Sequence, residues 1–290
     1  MSGQLRALKN RIRGVENTQK ITKAMEMVAA AKLKRFQRMR EQTTPYVQAL
    51  EGVLNRLLAT DMPLAHPLLE TREEKETALL VITSDTGLCG SYNHGLIEEA
   101  KKFLKSRSKA PLLIGVGKNG VNALARAGSM WHQTFKDIKS SQLESMMTEV
   151  SSLIEMLFIE KKVDAIYVVR SSFTGRSVFR PATEKLLPFQ LEAAPGGGPL
   201  EASASYIMEP SREALFERLV PLVFAAKVRM LFMESMIAEH TARMTAMSQA
   251  TENAKELIET LVLLRNKIRQ AAITKELIEI VSGSKALKTT

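Results

Sequence analysis

Between Pro221 and Gly283 the chain runs for sixty-one residues without a glycine or a proline. Little but a helix can use such a stretch, because nothing in it supplies the turns a compact fold needs. As one α-helix it would span roughly 90 Å at 1.5 Å per residue, far beyond the ~10–14 residues of an ordinary globular helix. Positions 237, 240, 244, 247, 251, 254, 258, 261, 265, 268 and 272 step by three and four throughout, and eight of the eleven are apolar, from Ile237 through Met247, Ile258 and Leu261 to Ala272. That spacing is a coiled-coil face, and a strict 3.5-residue repeat predicts left-handed supercoiling. Beyond Ala272 the register reaches Lys275 and Glu279. The last turns are therefore expected to continue as a single helix past the end of their partner.

The partner is at the other end of the chain. From Ser2 to Thr44 there is no proline, and Leu5, Leu8, Ile12 and Val15 form a heptad seam. Apolar spacing carries the seam, with a shift, to Ile21, Met25 and Val28. Ala29, Ala30 and Ala31 then allow close helix approach, and Leu50, Leu54 and Leu57 resume the pattern past a bend expected at Pro45. The same segment concentrates charge. Of a formal net charge of +10, residues 1–40 alone carry +9, with eleven Lys and Arg against Glu16 and Glu26. Self-repulsion on that scale calls for a partner that supplies negative charge: nucleic acid, an anionic membrane surface or an acidic protein face.

Two terminal helices can pair antiparallel if the middle folds back on itself, and the middle reads as α/β. Thr77–Thr83, Leu112–Val116 and Ala165–Arg170 are strand-like, Trp131–Phe135 weakly so. Tyr92–Lys105, Val121–Ala127 and Gln142–Glu160 are helix-like. Strand–helix alternation predicts a small Rossmann-like α/β domain. The expected fold class is thus α/β with a long antiparallel coiled coil, the N- and C-terminal helices forming a left-handed two-helix shaft. The segments are 1–58 (N-terminal helix), 75–192 (central α/β domain), 193–208 (a Gly/Pro/Ala/Ser linker) and 209–287 (C-terminal helix).

Candidate chemistry is sparse. Gly115-Val116-Gly117-Lys118-Asn119-Gly120 fits G-x-G-x-x-G between a strand and a helix, but the acidic residue wanted about 20 residues on has only Asp137 as a candidate, so a glycine-rich structural turn is favoured. No P-loop lysine motif is present. Asp85 and Cys89 follow the first strand, where α/β sheets place ligands. A Cys89–His94 nucleophile pair is weighed against a buried thiol in a tight Gly87–Gly90 turn, and the thiol is favoured. One cysteine and four scattered histidines predict neither disulfide nor zinc site. Met230, Met233, Met236, Met244 and Met247 read as core. Arg269, Gln270, Thr274 and Glu276 lie where the coiled-coil register is lost and can bond across an interface. No stretch reaches the ~18 apolar residues of a spanning helix, and no signal peptide is seen at the basic N-terminus. A cytoplasmic protein is expected.

The ends of the chain then become recognisable. Residues 17–32 (NTQKITKAMEMVAAAK) and 269–281 (RQAAITKELIEIV) resemble the terminal signatures of the gamma subunit of F-type (rotary) ATP synthases. Residues 84–90 (SDTGLCG), 239–244 (EHTARM) and 250–254 (ATENA) match internal ones. The likeness is in order along the whole chain and weak over 106–210. Thr86 stands where the family usually has a basic residue, Arg265 where an aromatic is common, and the cysteine-bearing insertion of chloroplast members has no counterpart. The resemblance implies a central-stalk rotor subunit without catalytic residues, cofactor or metal, which couples ion-driven rotation of the membrane c-ring to nucleotide-affinity changes in catalytic beta subunits. It implies one copy per alpha/beta hexamer, contact with the epsilon subunit, and a peripheral place on the cytoplasmic face of the bacterial inner membrane. By the same resemblance, Lys20, Lys23, Met25, Asp85, Cys89, Arg269, Gln270, Thr274 and Glu276 contact the alpha and beta subunits, and Ile273, Leu277, Ile280 and Val281 form an apolar bearing. Two rival classes rank well below it. A nucleic-acid-binding coiled coil would need more than 5% aromatics, and a nucleotide-dependent enzyme using the 115–120 turn leaves the long helix unexplained.

Overall fold

The computed structural model describes residues 2–58, 64–173, 179–190 and 209–288, so the expected linker at 193–208 lies outside the described residues. Chain contacts separate two units, residues 1–30 with 243–290 and residues 31–242. Helix α1 (Ser2–Leu58) and helix α5 (Arg212–Lys288) each contribute to both. Both are continuous through a proline, Pro45 and Pro221 respectively.

The first unit is a pair of helical segments. The Thr251 hydroxyl donates to the Thr22 hydroxyl at 2.8 Å, while Leu5 and Lys9 share a groove with Ala272 and Ile273. Residue numbers thus rise on one helix as they fall on the other, and the pair is antiparallel. On α5 the expected register holds, for Met247, Ala254 and Leu261 are buried and the intervening seam positions half-buried. On α1 the seam does not shift after Val15. It keeps its three-four step through Gln19, Thr22 and Glu26 to Ala29, which is 1% exposed. Ile21 and Val28 are 60% and 57% exposed and Met25 is also on the surface. The apolar pattern therefore misled: a polar hydroxyl pair and an alanine fill the narrow seam, and the larger apolar side chains face outward.

The second unit is built on a five-stranded sheet, ordered β3-β2-β1-β4-β5 among the described residues. Strands β1 (Thr77–Ile82), β2 (Leu112–Val116), β3 (Trp131–Phe135) and β4 (Ala165–Phe173) are parallel, and β5 (Phe179–Leu187) is antiparallel to β4. All six residues of β1 are buried, as a central parallel strand covered on both faces requires. Leu80 and Ile82 join one cluster with Phe36 and Leu54 of α1, helix α4 (Leu143–Ile159) and Phe216, Phe224 and Phe232 of α5. Leu79 and Val81 point the other way, against helix α2 (Tyr92–Ser106) and helix α3 (Lys118–Arg126). Met233 and Met247 are buried and the other methionines of the stretch half-buried, so that stripe is core.

Two strands depart from the periodicity. Strand β3, polar by sequence, pairs with β2 at the sheet edge, and Gly115 leaves room for its Trp131 ring, which would come within 2.6 Å of a Cβ at that position. Strand β5 has no sequence signal of its own, because its FRPATEKLL pattern is charged and carries Pro181. Proline is tolerated on an edge strand, where one side of the backbone needs no ladder.

Candidate partner interface

In the helix pair the exposed chemistry is arranged by residue spacing. Ile21, Met25 and Val28 step by four and three, which places them on one face of α1. Beside them Lys20 is exposed, and Lys23 is exposed while pairing with Glu26 at 3.1 Å. Arg6, Lys9, Arg11, Arg13 and Lys20 form no ion pair among the described residues. Their charge is unmatched among the described residues, so the segment attracts an acidic surface. An outward apolar stripe bordered by exposed lysines is the composition of an interface rather than of a solvated helix face.

The C-terminal part of α5 repeats this logic. Ile273, Leu277 and Ile280 again step by four and three with Val281 beside them, and all four are at least half exposed. Arg269, Gln270, Thr274 and Glu276 are exposed as well. The Thr274 hydroxyl donates to the Gln270 carbonyl at 3.0 Å and keeps only its accepting capacity for a partner. Arg269 and Glu276 line the groove shared with Leu5, Arg6 and Lys9. A helix whose final turns present isoleucine, leucine and valine to water has that surface available for another protein.

The 84–90 loop is otherwise. Asp85 accepts from the Lys118 N–H at 2.9 Å through one carboxylate oxygen and from the Ile138 N–H at 3.0 Å through the other. It thus caps the N-terminus of α3 with its negative charge on the positive helix end. Cys89 is 2% exposed, and its sulfur accepts from the Asn93 side-chain amide at 3.2 Å. Asn93 also binds Ser84. Cys89, expected among the partner contacts, is thus buried with its sulfur held by Asn93, so a contact there would be made by the exposed residues of the loop around it. Thr86, Gly87, Leu88 and Gly90 are the exposed residues of the loop, and Leu88 is the large apolar one among them, at 57%. Its backbone is left-handed, with φ +62°, a conformation that spacing does not signal. The Cys89–His94 nucleophile reading falls with the burial of Cys89, and His94 is exposed.

The glycine-rich turn is explained by packing. Gly117 has φ +90°, and a Cβ there would lie 2.1 Å from the Thr83 carbonyl oxygen. A Cβ on Gly120 would meet the Thr83 side chain at 2.6 Å. The helix N-terminus that would hold a pyrophosphate is already filled by Asp85. Of the other histidines, His66 accepts from the Leu68 N–H at 3.1 Å and His240 stacks on Phe36. Among the described residues no cluster of His, Cys, Asp and Glu could hold a metal, and no helix is long and apolar enough to cross a membrane.

One carboxylate in the second unit stands apart. Glu155 on α4 is partly buried, and its pKa is raised by desolvation alone. The folded state therefore holds its proton more tightly than the unfolded chain. Below the ordinary glutamate range both states are protonated and nothing changes. As pH rises through the raised value, the folded state must bear an unfavourable charge and stability falls. Urea midpoints measured from mildly acidic to neutral pH are expected to show that decline, and Glu155→Gln to flatten it. Parallel profiles for the two proteins would contradict the assignment.

An antiparallel helix pair with apolar stripes on its outer face, and an α/β unit whose strand-end turn is occupied by its own Asp85 and Thr83, mark a protein built to present surfaces rather than to hold a ligand. The comparisons are specific about the family. The sequence pattern of the ATP synthase family matches residues 4–287. The ATP synthase gamma chain of Heliobacterium modesticaldum is 38% identical over 287 residues, covering 98% of this chain and 99% of that one. That of a Sulfurihydrogenibium species is also 38% identical over 287 residues, covering 98% of each. A chain of the Euglena gracilis mitochondrial ATP synthase OSCP/F1/c-ring structure superposes with a TM-score of 0.68 at 20% identity, over 99% of this chain and 95% of that one. The chain belongs to the ATP synthase gamma-chain family.

Proposed function

We propose that the chain is the central-stalk rotor of an F-type ATP synthase, turned by ion flow through a membrane ring and driving catalytic subunits through their nucleotide-affinity states. The observation that carries this reading is the inversion on α1, with polar and small residues in the seam and Ile21, Met25 and Val28 outside. A helix pair that existed for its own stability would bury those three. In this reading catalysis resides on the beta subunits, and one copy of the chain stands in each alpha/beta hexamer and also touches an epsilon subunit and the c-ring. Its place is peripheral, on the cytoplasmic face of the bacterial inner membrane, and it requires no cofactor. The Euglena relative's structure includes F1, OSCP and a c-ring, which supports membership of such a complex.

Residue roles follow the exposed chemistry. Lys20 and Lys23 meet an acidic loop of a beta subunit, with Met25 packed against its apolar part. Arg269, Gln270, Thr274 and Glu276 bond to loops higher on the hexamer, and Ile273, Leu277, Ile280 and Val281 turn inside an apolar collar. Asp85 takes part by holding the 84–90 loop, whose large outward apolar residue is Leu88. Met25→Lys places a further cation at the apolar part of the contact and is expected to impair coupling while leaving the fold intact, because the side chain is exposed. ATP-driven ion pumping in membranes carrying the variant complex checks this. Pumping equal to the parent would remove Met25 from the interface.

A further inference from the structure

In the second unit, α1, α4 and α5 enclose a cleft of about 390 Å³, a volume within the usual range for small-molecule sites. Its apolar surface comes from Met147 of α4 and from Leu222 and Ala226 of α5, with Tyr46 of α1 at the side. Two polar groups in it are unaccounted for. Ser151 is 5% exposed, and its hydroxyl oxygen is buried without a hydrogen-bond partner. Such orphans are rare in folded proteins, and each wants a reason. Glu155 lies one helical turn further along α4, on the same face, and makes no hydrogen bond or ion pair among the described residues. The charges at the rim cancel, since Arg229 binds Glu144 at 2.8 Å. What remains is a carboxylate and a hydroxyl, side by side, over an apolar floor.

We propose that this cleft binds a small organic ammonium ion with an apolar tail, its nitrogen donating to the Glu155 carboxylate and, on rotation of the Ser151 side chain toward the cleft, to the Ser151 hydroxyl oxygen. An ammonium carries three donors and no acceptor, so it satisfies both orphan groups together and neutralises the one unpaired charge. An anion would meet an uncompensated carboxylate. A neutral apolar molecule would leave both polar groups unmatched and desolvate them further. The tail lies against Met147 and Leu222, where a thioether and a branched side chain adapt to different shapes. The site is separate from the exposed stripes assigned to partner subunits.

The test uses the full chain and the probe phenethylammonium, with 2-phenylethanol as its near-isosteric neutral control, followed by calorimetric titration at fixed ionic strength. The expected result is saturable binding of one ammonium per chain, with the alcohol weaker by about tenfold or more, as loss of a charge-assisted hydrogen bond implies. Glu155→Gln is expected to weaken the ammonium by a similar factor of about ten, and Ser151→Ala by a few-fold. Both variants keep the helix, so their thermal unfolding verifies that the fold survives. A third variant, Leu222→Ala, is expected to weaken the phenethyl probe more than methylammonium. Absence of saturable binding, equal binding of the alcohol, or indifference to Glu155→Gln would each overturn the proposal.

Discussion

Gly117→Ala is expected to unfold the 31–242 unit or to remove most of its stability, on the order of 4 kcal/mol or more, a loss reserved for a short list of mechanisms. Two of them coincide here. The φ of +90° is strained for any residue with a side chain, and the added Cβ would lie 2.1 Å from the Thr83 carbonyl oxygen. That carbonyl has little freedom to retreat. The Thr83 N–H donates to Val116 at 2.8 Å, its hydroxyl donates to Val116 at 3.0 Å and accepts from the Gly120 N–H at 3.0 Å. The Gly117 N–H in turn donates to Phe135 at 2.9 Å, so relief of the clash opens β1, β2 and β3 together. Domain stabilities of about 5–15 kcal/mol leave little after that loss. Gly87→Ala serves as the control, because nothing lies within 4 Å of a Cβ there. Urea denaturation of both variants reads the difference. A Gly117→Ala protein within about 1 kcal/mol of the parent would show that the turn yields, and would return the motif to a ligand-binding role.

Deletion of residues 273–290 is expected to do the opposite, leaving the fold and removing the function. Ile273, Leu277, Ile280 and Val281 are exposed, so little apolar surface returns to water when they go, and apolar burial is what sets the stability loss. The deletion removes a groove wall beside Leu5 and Lys9, and fraying is confined to the first turns of α1. Circular dichroism and urea unfolding of the truncated chain are expected to match the parent closely. In the assembled enzyme the same truncation is expected to lower coupled ATP synthesis several-fold, because it removes the four exposed apolar residues proposed to turn in a collar. Global unfolding of the truncated chain, or synthesis equal to the parent, would contradict this account of the last turns.

The contrast between those two variants follows what was and was not legible in the sequence. The α5 register was readable, since the seam there is filled by Met247, Ala254 and Leu261, and apolar identity coincides with burial. On α1 the coincidence breaks after Val15. Thr22 and Ala29 occupy the seam, and the larger Ile21 and Val28 are left exposed. Hydrophobic periodicity cannot separate a core stripe from an interface stripe, because both exclude water, one within the chain and the other only in the assembly. In the α/β unit the buried parallel strands were evident from β-branched and leucine runs. Strand β5 was not, because its place depends on pairing with β4 rather than on its own composition. The glycines of residues 115–120 were correctly favoured as a turn, yet Thr83, the partner that dictates Gly117 and Gly120, lies more than thirty residues away, and Gly115 answers to Trp131 instead. For Cys89, the buried thiol weighed against a nucleophile is what the fold contains, held by an asparagine four residues on.

The central claim is that this chain is a shaft gripped by other subunits, and co-expression with F-type alpha and beta subunits tests it most directly. Sizing of the purified complex and an ATPase assay form one measurement. The account predicts one copy of the chain in each alpha/beta hexamer, with ATPase activity that depends on its presence. A chain that fails to assemble with those subunits, or a hexamer whose ATPase is the same without it, would contradict the account.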